Sequence, residues 1–180
     1  MRIPSTTIED APAASRSLLA EMIQFSPTGR LLNLHAQMAL APAVLEAYVG
    51  IRRATAAQGT LDLPLRTALM LASATADGSQ YAQAIIMTLA LRAGWHKDQM
   101  AALRAGADLG DEKTDSLISV VREASHHSGR VSDATWDRAA ALGWTAEQLA
   151  EAFAYLGLTV FTSYFLNYAD TEVDVPLAGE

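Results

Sequence analysis

The chain contains no cysteine in 180 residues. That absence excludes disulfide frameworks, thiolate nucleophiles, iron–sulfur ligation and cysteine-built zinc sites. Positive charge is scarce as well: 13 Lys and Arg stand against 20 Asp and Glu, a formal net charge of −7. A chain of this sign repels polyanions, and no run of Lys or Arg supplies a basic groove or arm, so nucleic acid is not an expected partner. Long hydrophobic runs are missing too. The longest uncharged stretch, 152–169, is interrupted by Gly157, Thr159, Thr162, Ser163 and Asn167, which suits a buried helix better than a bilayer span. The opening residues, "MRIPSTTIEDAPAAS", lack the continuous apolar core of a secretory signal, so no membrane partner and a cytoplasmic location are expected. Period-two alternation is nearly absent, which leaves little material for strands.

What is present in excess is apolar helix-forming sequence. Ala and Leu dominate, 51% of residues are hydrophobic and only 18% are charged. Apolar residues recur at spacings of three and four through most of the chain, predicting an all-α fold. The length suits one domain, 1–180, with a polar lead-in over 1–13 and an acidic tail over 169–180. So much apolar sequence exceeds what a small monomer buries, so a homo-oligomer is expected.

Turn signals divide the chain. A first helix over 14–24 stops at "FSPTGR", and "LLNLHAQMA" forms a second, short one. Pro42 opens a helix that Gly59 ends; Asp62 caps the next, with Pro64 tolerated in its first turn. Asp77 and Gln80 are spaced like an N-cap and its partner, predicting a capping box, with Ser79 in the first turn of a helix running to Arg92. Two octets are alike: "GWHKDQMA" from Gly94 and "GWTAEQLA" from Gly143. In each a Gly ends one helix, a Trp follows, His96 or Thr145 caps the next helix, and Met100 or Leu149 falls where it can pack back on the Trp. This predicts a helix-turn-helix unit used twice. The final helix, from Thr145, is apolar on nearly all sides and is expected to be central or to lie in a subunit interface.

The order "GRLLNLHAQMALAPAVLEAY", "GTLDLPLRTALML", the helix around "DGSQYAQAIIM" with "LALRAGW", and "LGWTAEQLAEAF" with "NYADTEVDVP" resembles the carboxymuconolactone decarboxylase family, in particular its alkylhydroperoxidase-D-like (AhpD-like) branch. The resemblance spans about residues 25–176. It implies an AhpD-like helical bundle that assembles into dimers, trimers or hexamers. The redox members carry a glutamate on one helix and Cys-x-x-Cys-x-x-x-His on the next; by that resemblance the glutamate falls on Thr67, the cysteines on Ser79 and Ala82, and the histidine on Ile86. None of these can perform thiol chemistry. A serine forms neither a disulfide nor a sulfenic acid, and without a base beside it is no nucleophile at neutral pH. Thiol peroxidase activity is therefore not expected.

The chain then reads in two ways: a cofactor-independent, non-redox proton-transfer enzyme of decarboxylase, isomerase or lyase type acting on a small carboxylate or lactone, or a catalytically inactive oligomer that binds a small apolar molecule or serves as a scaffold. Whether it is an enzyme stays open at this point. For the first reading the candidate catalytic residues are His35, Tyr81 and Tyr164, and Thr67, Ser79, Gln83, Ile86 and Asn167 are candidate pocket residues. Each has a structural counterpart: His35 as a half-buried helix histidine bonded to a carbonyl, Tyr164 and Asn167 as buried polar groups with partners. Glu123 and His127 are spaced to share a weak metal, but a solvated helix end accounts for them, and no metal or cofactor is expected.

Overall fold

A computed structural model describes residues 1–176, so residues 177–180 of the expected acidic tail lie outside the described residues. Among the described residues there are nine α-helices and no strand: α1 (Ala13–Gln24), α2 (Asn33–Met38), α3 (Pro42–Gln58), α4 (Leu63–Ala76), α5 (Gln80–Arg92), α6 (Lys97–Arg104), α7 (Glu112–His126), α8 (Asp133–Ala141) and α9 (Ala146–Ala169). The core is built around α4, which packs against α5, α6, α7 and α9; α9 in turn packs on α3, α5 and α7. Leu19, Leu32, Leu45, Leu69, Leu71, Met100 and Leu117 are fully buried between these elements. Each such side chain contributes about 2 kcal/mol relative to exposure.

The expected repeat extends beyond two octets. Asp62 caps α4 by accepting from the Leu65 N–H at 2.9 Å, and Asp111 caps α7 by accepting from Thr114 at the same distance. Trp95 donates its indole N–H to the Pro64 carbonyl and Trp144 to the Lys113 carbonyl, both at 2.8 Å and both 31 residues back. Gly94 and Gly143 turn the chain with φ of 105° and 89°, in the left-handed region where a Cβ is unfavourable. The helices that follow start alike, Gln99 accepting from the His96 N–H at 3.0 Å and Gln148 from the Thr145 N–H at 3.1 Å. The unit used twice is thus a trio of helices, α4–α6 and α7–α9, each closed by a tryptophan tied to its first turn.

One expected start is displaced. Asp77 does not cap α5. It lies at the C-terminal end of α4 in right-handed helical conformation, Gly78 turns the chain with φ of 66°, and Ser79 is the N-cap, its hydroxyl accepting from the Ala82 N–H at 3.3 Å. Asp and Ser both cap well. The left-handed glycine between them decides, because it is the αL residue that ends α4.

Both chain ends clamp α2. The Gln37 amide donates to the Ile3 carbonyl at 2.7 Å, and the Asn33 amide donates to the Glu172 carbonyl at 3.0 Å. Asp174 accepts from the Asn33 N–H at 2.9 Å and from the Tyr81 hydroxyl, so the tail is held to the body through a buried phenol.

Among the described residues α9 is the one helix long and apolar enough to cross a membrane, with mean hydropathy 1.4. Of that apolar stretch 44% is buried, on the side that packs against four helices.

Candidate functional site

Two of the three α5 positions where the resemblance puts thiols and an imidazole, Ala82 and Ile86, converge on a pocket, whereas Ser79 does not line it. Ala82 and Ile86, one turn apart on α5, line a half-open cavity of about 40 Å³ with Leu34 from α2, Tyr48 and Arg52 from α3 and Met70 from α4. The α9 wall adds Thr159 and Thr162, but their hydroxyls are spent on their own helix, donating to the Tyr155 carbonyl at 2.8 Å and the Leu158 carbonyl at 2.7 Å. The polar groups left to meet a ligand are therefore the Arg52 guanidinium and the Tyr48 hydroxyl. A cavity of this size, well under the ~150 Å³ that accommodates benzene, holds a few waters or a molecule of a few heavy atoms.

Tyr48 and Arg52 stand one helical turn apart. Arg52 Nη1 donates to the Tyr48 hydroxyl at 3.0 Å, with the guanidinium carbon 5.6 Å from the ring centre. Behind them lies His35, only 5% exposed, with Nε2 3.3 Å from the Tyr48 hydroxyl and the rings 5.3 Å apart. A second cavity, of about 20 Å³, is lined by His35 and shares Tyr48, Arg52, Ile85 and Leu89 with the first, so these four side chains form a partition between the two spaces. Burial, reinforced by the Arg52 charge, depresses the His35 pKa to about 3. His35 is thus a neutral imidazole bonded to a hydroxyl rather than to the carbonyl expected from sequence, and its buried Nδ1 has no partner among the described residues.

The other sequence candidates are dispersed. The Thr67 hydroxyl donates to the Pro64 carbonyl at 2.7 Å, and Ser79 is occupied as a cap. The Tyr81 hydroxyl is committed to Asp174; burial first, and the Asp174 carboxylate second, push its pKa upward. Gln83 is buried and holds two elements, donating to the Ala74 carbonyl at 3.3 Å and accepting from Arg104 Nε at 3.0 Å. Tyr164 and Asn167 are exposed on α9, which corrects the expectation that they are buried, and Tyr164 is 61% exposed on a face away from the Tyr48 cavity. Asp77 does not accept from the α5 start; burial raises its carboxyl pKa against the pull of the Ser163 hydroxyl and of His126. Glu123 is engaged with Ser132, accepting from its N–H at 2.7 Å and its hydroxyl at 3.2 Å, so His127 gains no free carboxylate partner from it. Tyr48 and Arg52 escape a reading of sequence alone. Their (i, i+4) spacing on α3 is the local trace, and by itself it does not set them apart from an ordinary helix surface.

Residues 42–111 match the sequence model of the Carboxymuconolactone decarboxylase family. The match covers α3 through α6, the stretch carrying Tyr48, Arg52, Ala82 and Ile86. The fold likeness reaches further. The alkylhydroperoxidase AhpD core of a peroxidase-related protein from Ralstonia eutropha JMP134 superposes with a TM-score of 0.84 at 15% identity, covering 96% of this chain and 92% of that one. The debrominase Bmp8, solved as a variant in complex with 2,3,4-tribromopyrrole, gives 0.82 at 18% identity over 97% and 92%, and its apo form gives 0.81. At these identities the likeness is one of fold: an AhpD-like all-α bundle. No curated protein matches the chain in sequence.

Proposed function

We propose that this chain is a thiol-free, non-redox protein of the carboxymuconolactone decarboxylase type that takes a short carboxylate or lactone into the Ala82–Ile86 pocket and moves a proton through Tyr48. The observation that carries this is the Arg52–Tyr48 pair: a cation with no carboxylate partner among the described residues, bonded to a phenol, the two polar side chains on an apolar wall whose polar atoms are not spent on their own helix's carbonyls. Arg52 would hold the ligand's oxygen. Tyr48 would donate its proton there while a water admitted by the half-open pocket takes the α-proton, and the Arg52 charge would stabilise the phenolate until the proton returns. His35 is not the base. Protonating an imidazole with a pKa of about 3 at pH 7 is uphill by about 5 kcal/mol, so its role is to orient Tyr48. The small volume selects compounds of a few heavy atoms; a ring as large as the tribromopyrrole bound by the debrominase would require Met70 or Leu34 to move.

The test has two arms. Acetate, butyrate and γ-butyrolactone are titrated by calorimetry, and exchange of their α-protons in D₂O is followed by NMR. Arg52→Met should weaken carboxylate binding tenfold or more, and Tyr48→Phe should abolish exchange while leaving binding within a few-fold. No binding by any of the three would sink the proposal. The second reading, a binding protein without turnover, draws support from the depressed pKa of His35, which denies Tyr48 a proton acceptor behind it; binding without exchange would decide for it. In either reading the protein is proposed to work as a homo-oligomer.

A further inference from the structure

A second cleft, sharing no residue with the Tyr48 pocket, lies where the ends of α4 and α6 meet the later turns of α7. It has a volume of about 230 Å³, and its polar lining consists of Thr75, Arg104, Arg122 and His126. Bases are the minority in this chain, 13 against 20 acids, yet three cationic or protonatable side chains face one cleft and no carboxylate lines it. Asp77, close enough to His126 to feel its charge, lies outside the lining.

Two atoms there lack what their chemistry requires. Arg122 makes no hydrogen bond or ion pair among the described residues, and its Nη2 is buried. Thr75 Oγ1 is likewise buried without a partner. Thr75 is not typical of the helix threonines in this fold: Thr55, Thr88, Thr159 and Thr162 all donate to the carbonyl four residues back, whereas Thr75 does not. A buried donor left unpaired is costly, and more so on a charged group. Arg104 is held in place by its Nε bond to Gln83, which is itself fixed by the Ala74 carbonyl. Its terminal nitrogens remain for another acceptor.

The bland account is that cations gather at helix C-termini, where the dipole favours them. It suffices for Arg104, the last residue of α6, and for His126, the last of α7. It does not explain Arg122, a full turn inside α7, nor a guanidinium nitrogen buried with no acceptor. The carbonyl ends of α4 and α6 work against an anion here, so the guanidinium pair must outweigh them.

We propose that this cleft binds a phosphate-type oxyanion. Arg122 and Arg104 supply the charge-assisted donors, Thr75 gives its hydroxyl and His126 closes the outer side. The volume exceeds what an inorganic phosphate fills, which favours a small phosphate monoester. Its recognition is separate from the carboxylate chemistry proposed for Tyr48 and Arg52.

The experiment uses the full chain. Inorganic phosphate and glycerol phosphate are titrated by calorimetry and by thermal unfolding, against sodium chloride at equal ionic strength. Saturable binding and a rise in Tm beyond the chloride control are expected for both, with glycerol phosphate the tighter. Arg122→Gln should lower affinity tenfold or more and Thr75→Val several-fold, whereas Arg130→Gln, outside the cleft, should not change it. Without phosphate, Arg122→Met should melt at or above the parent temperature, because a buried unpaired charge has been removed. Absence of saturable binding, equal affinity in Arg122→Gln, or a large loss of stability in phosphate-free Arg122→Met would each overturn the proposal.

Discussion

The Tyr48 hydroxyl lies 3.3 Å from Nε2 of His35 while accepting from Arg52 at 3.0 Å, so a buried imidazole shares one oxygen with a cation. That imidazole must be neutral to be buried there, and the pH dependence of stability follows. Unfolded, His35 titrates near its ordinary value of 6.5; folded, it does so at about 3. The unfolded chain therefore binds the extra proton between these values. Stability is full above about pH 6.5 and is lost as pH falls toward 3, by up to about 1.4 kcal/mol per pH unit. Urea unfolding at pH 7, 6, 5 and 4 should show this slope, and His35→Gln should flatten it over the same window even if it is less stable at pH 7. Parallel curves for the two proteins would refute this account of His35.

Gly59 has its own constraint, and a contrast with Gly50 tests it. A Cβ on Gly59 would meet the Thr55 carbonyl at 2.5 Å, the Tyr155 hydroxyl at 2.6 Å and Glu151 Oε1 at 2.8 Å. Those atoms belong to a clip in which Glu151, from α9, accepts from the Thr60 N–H and hydroxyl and from Tyr155, so they cannot withdraw freely. Burial opposes the Glu151 charge, but these hydrogen bonds outweigh it and hold its carboxyl below the ordinary range. Gly59→Ala should cost about 2 kcal/mol or more. Gly50, inside α3 with nothing within 4 Å of its would-be Cβ, should gain about 0.5–1 kcal/mol on substitution by Ala. Equal Tm shifts would refute the steric argument.

How much of this was legible beforehand depends on how local the cause is. The stop at Gly59 and the caps at Asp62 and Thr145 follow from residue types a few positions apart, and they stand where spacing put them. The start of α5 misleads for the same reason, since Asp77 and Ser79 both satisfy local rules and only the αL conformation of Gly78 separates them. The convergence of Ala82 and Ile86 on a cavity was accessible through the family resemblance. Tyr48 and Arg52 were not, because what distinguishes them from an ordinary helix surface is that α5 and α9 close over them, a long-range fact absent from their own neighbourhood. Tyr81 shows the converse: its helix position was right, but its hydroxyl is claimed by Asp174, 93 residues away.

The paired tryptophans make the repeat testable. Trp95 and Trp144 each donate an indole N–H to a first-turn carbonyl 31 residues back, whereas Trp136 is 42% exposed and makes no such bond. Trp→Phe keeps most of the apolar contact and deletes the donor. At Trp95 and at Trp144 this should cost about 1 kcal/mol each, leaving a carbonyl to find water, while Trp136→Phe should stay within about 0.5 kcal/mol. Denaturant midpoints of the three variants decide it; an effect at Trp136 equal to the others would remove the special role of the indole bonds.

The outer face of α9 carries the remaining prediction. Phe153, Tyr164 and Tyr168 are 64%, 61% and 72% exposed, and Gly157, Val160, Phe161 and Phe165 continue the stripe beside Val44 of α3. Positions 157, 161, 164 and 168 are spaced four, three and four, the interval that keeps one face against a partner helix, and Gly157 allows close backbone approach there. Exposed aromatics in such a row are unfavourable in water, and a face of this kind matches a second copy of itself across a two-fold axis. The chain is therefore expected to sediment as a homo-oligomer at micromolar concentration, and Tyr164→Asp with Tyr168→Asp should shift it to monomer. The substituted side chains already face solvent, so helix content should be retained and the shift should report the interface alone. Wild-type protein that sediments as a monomer would leave the stripe without this function.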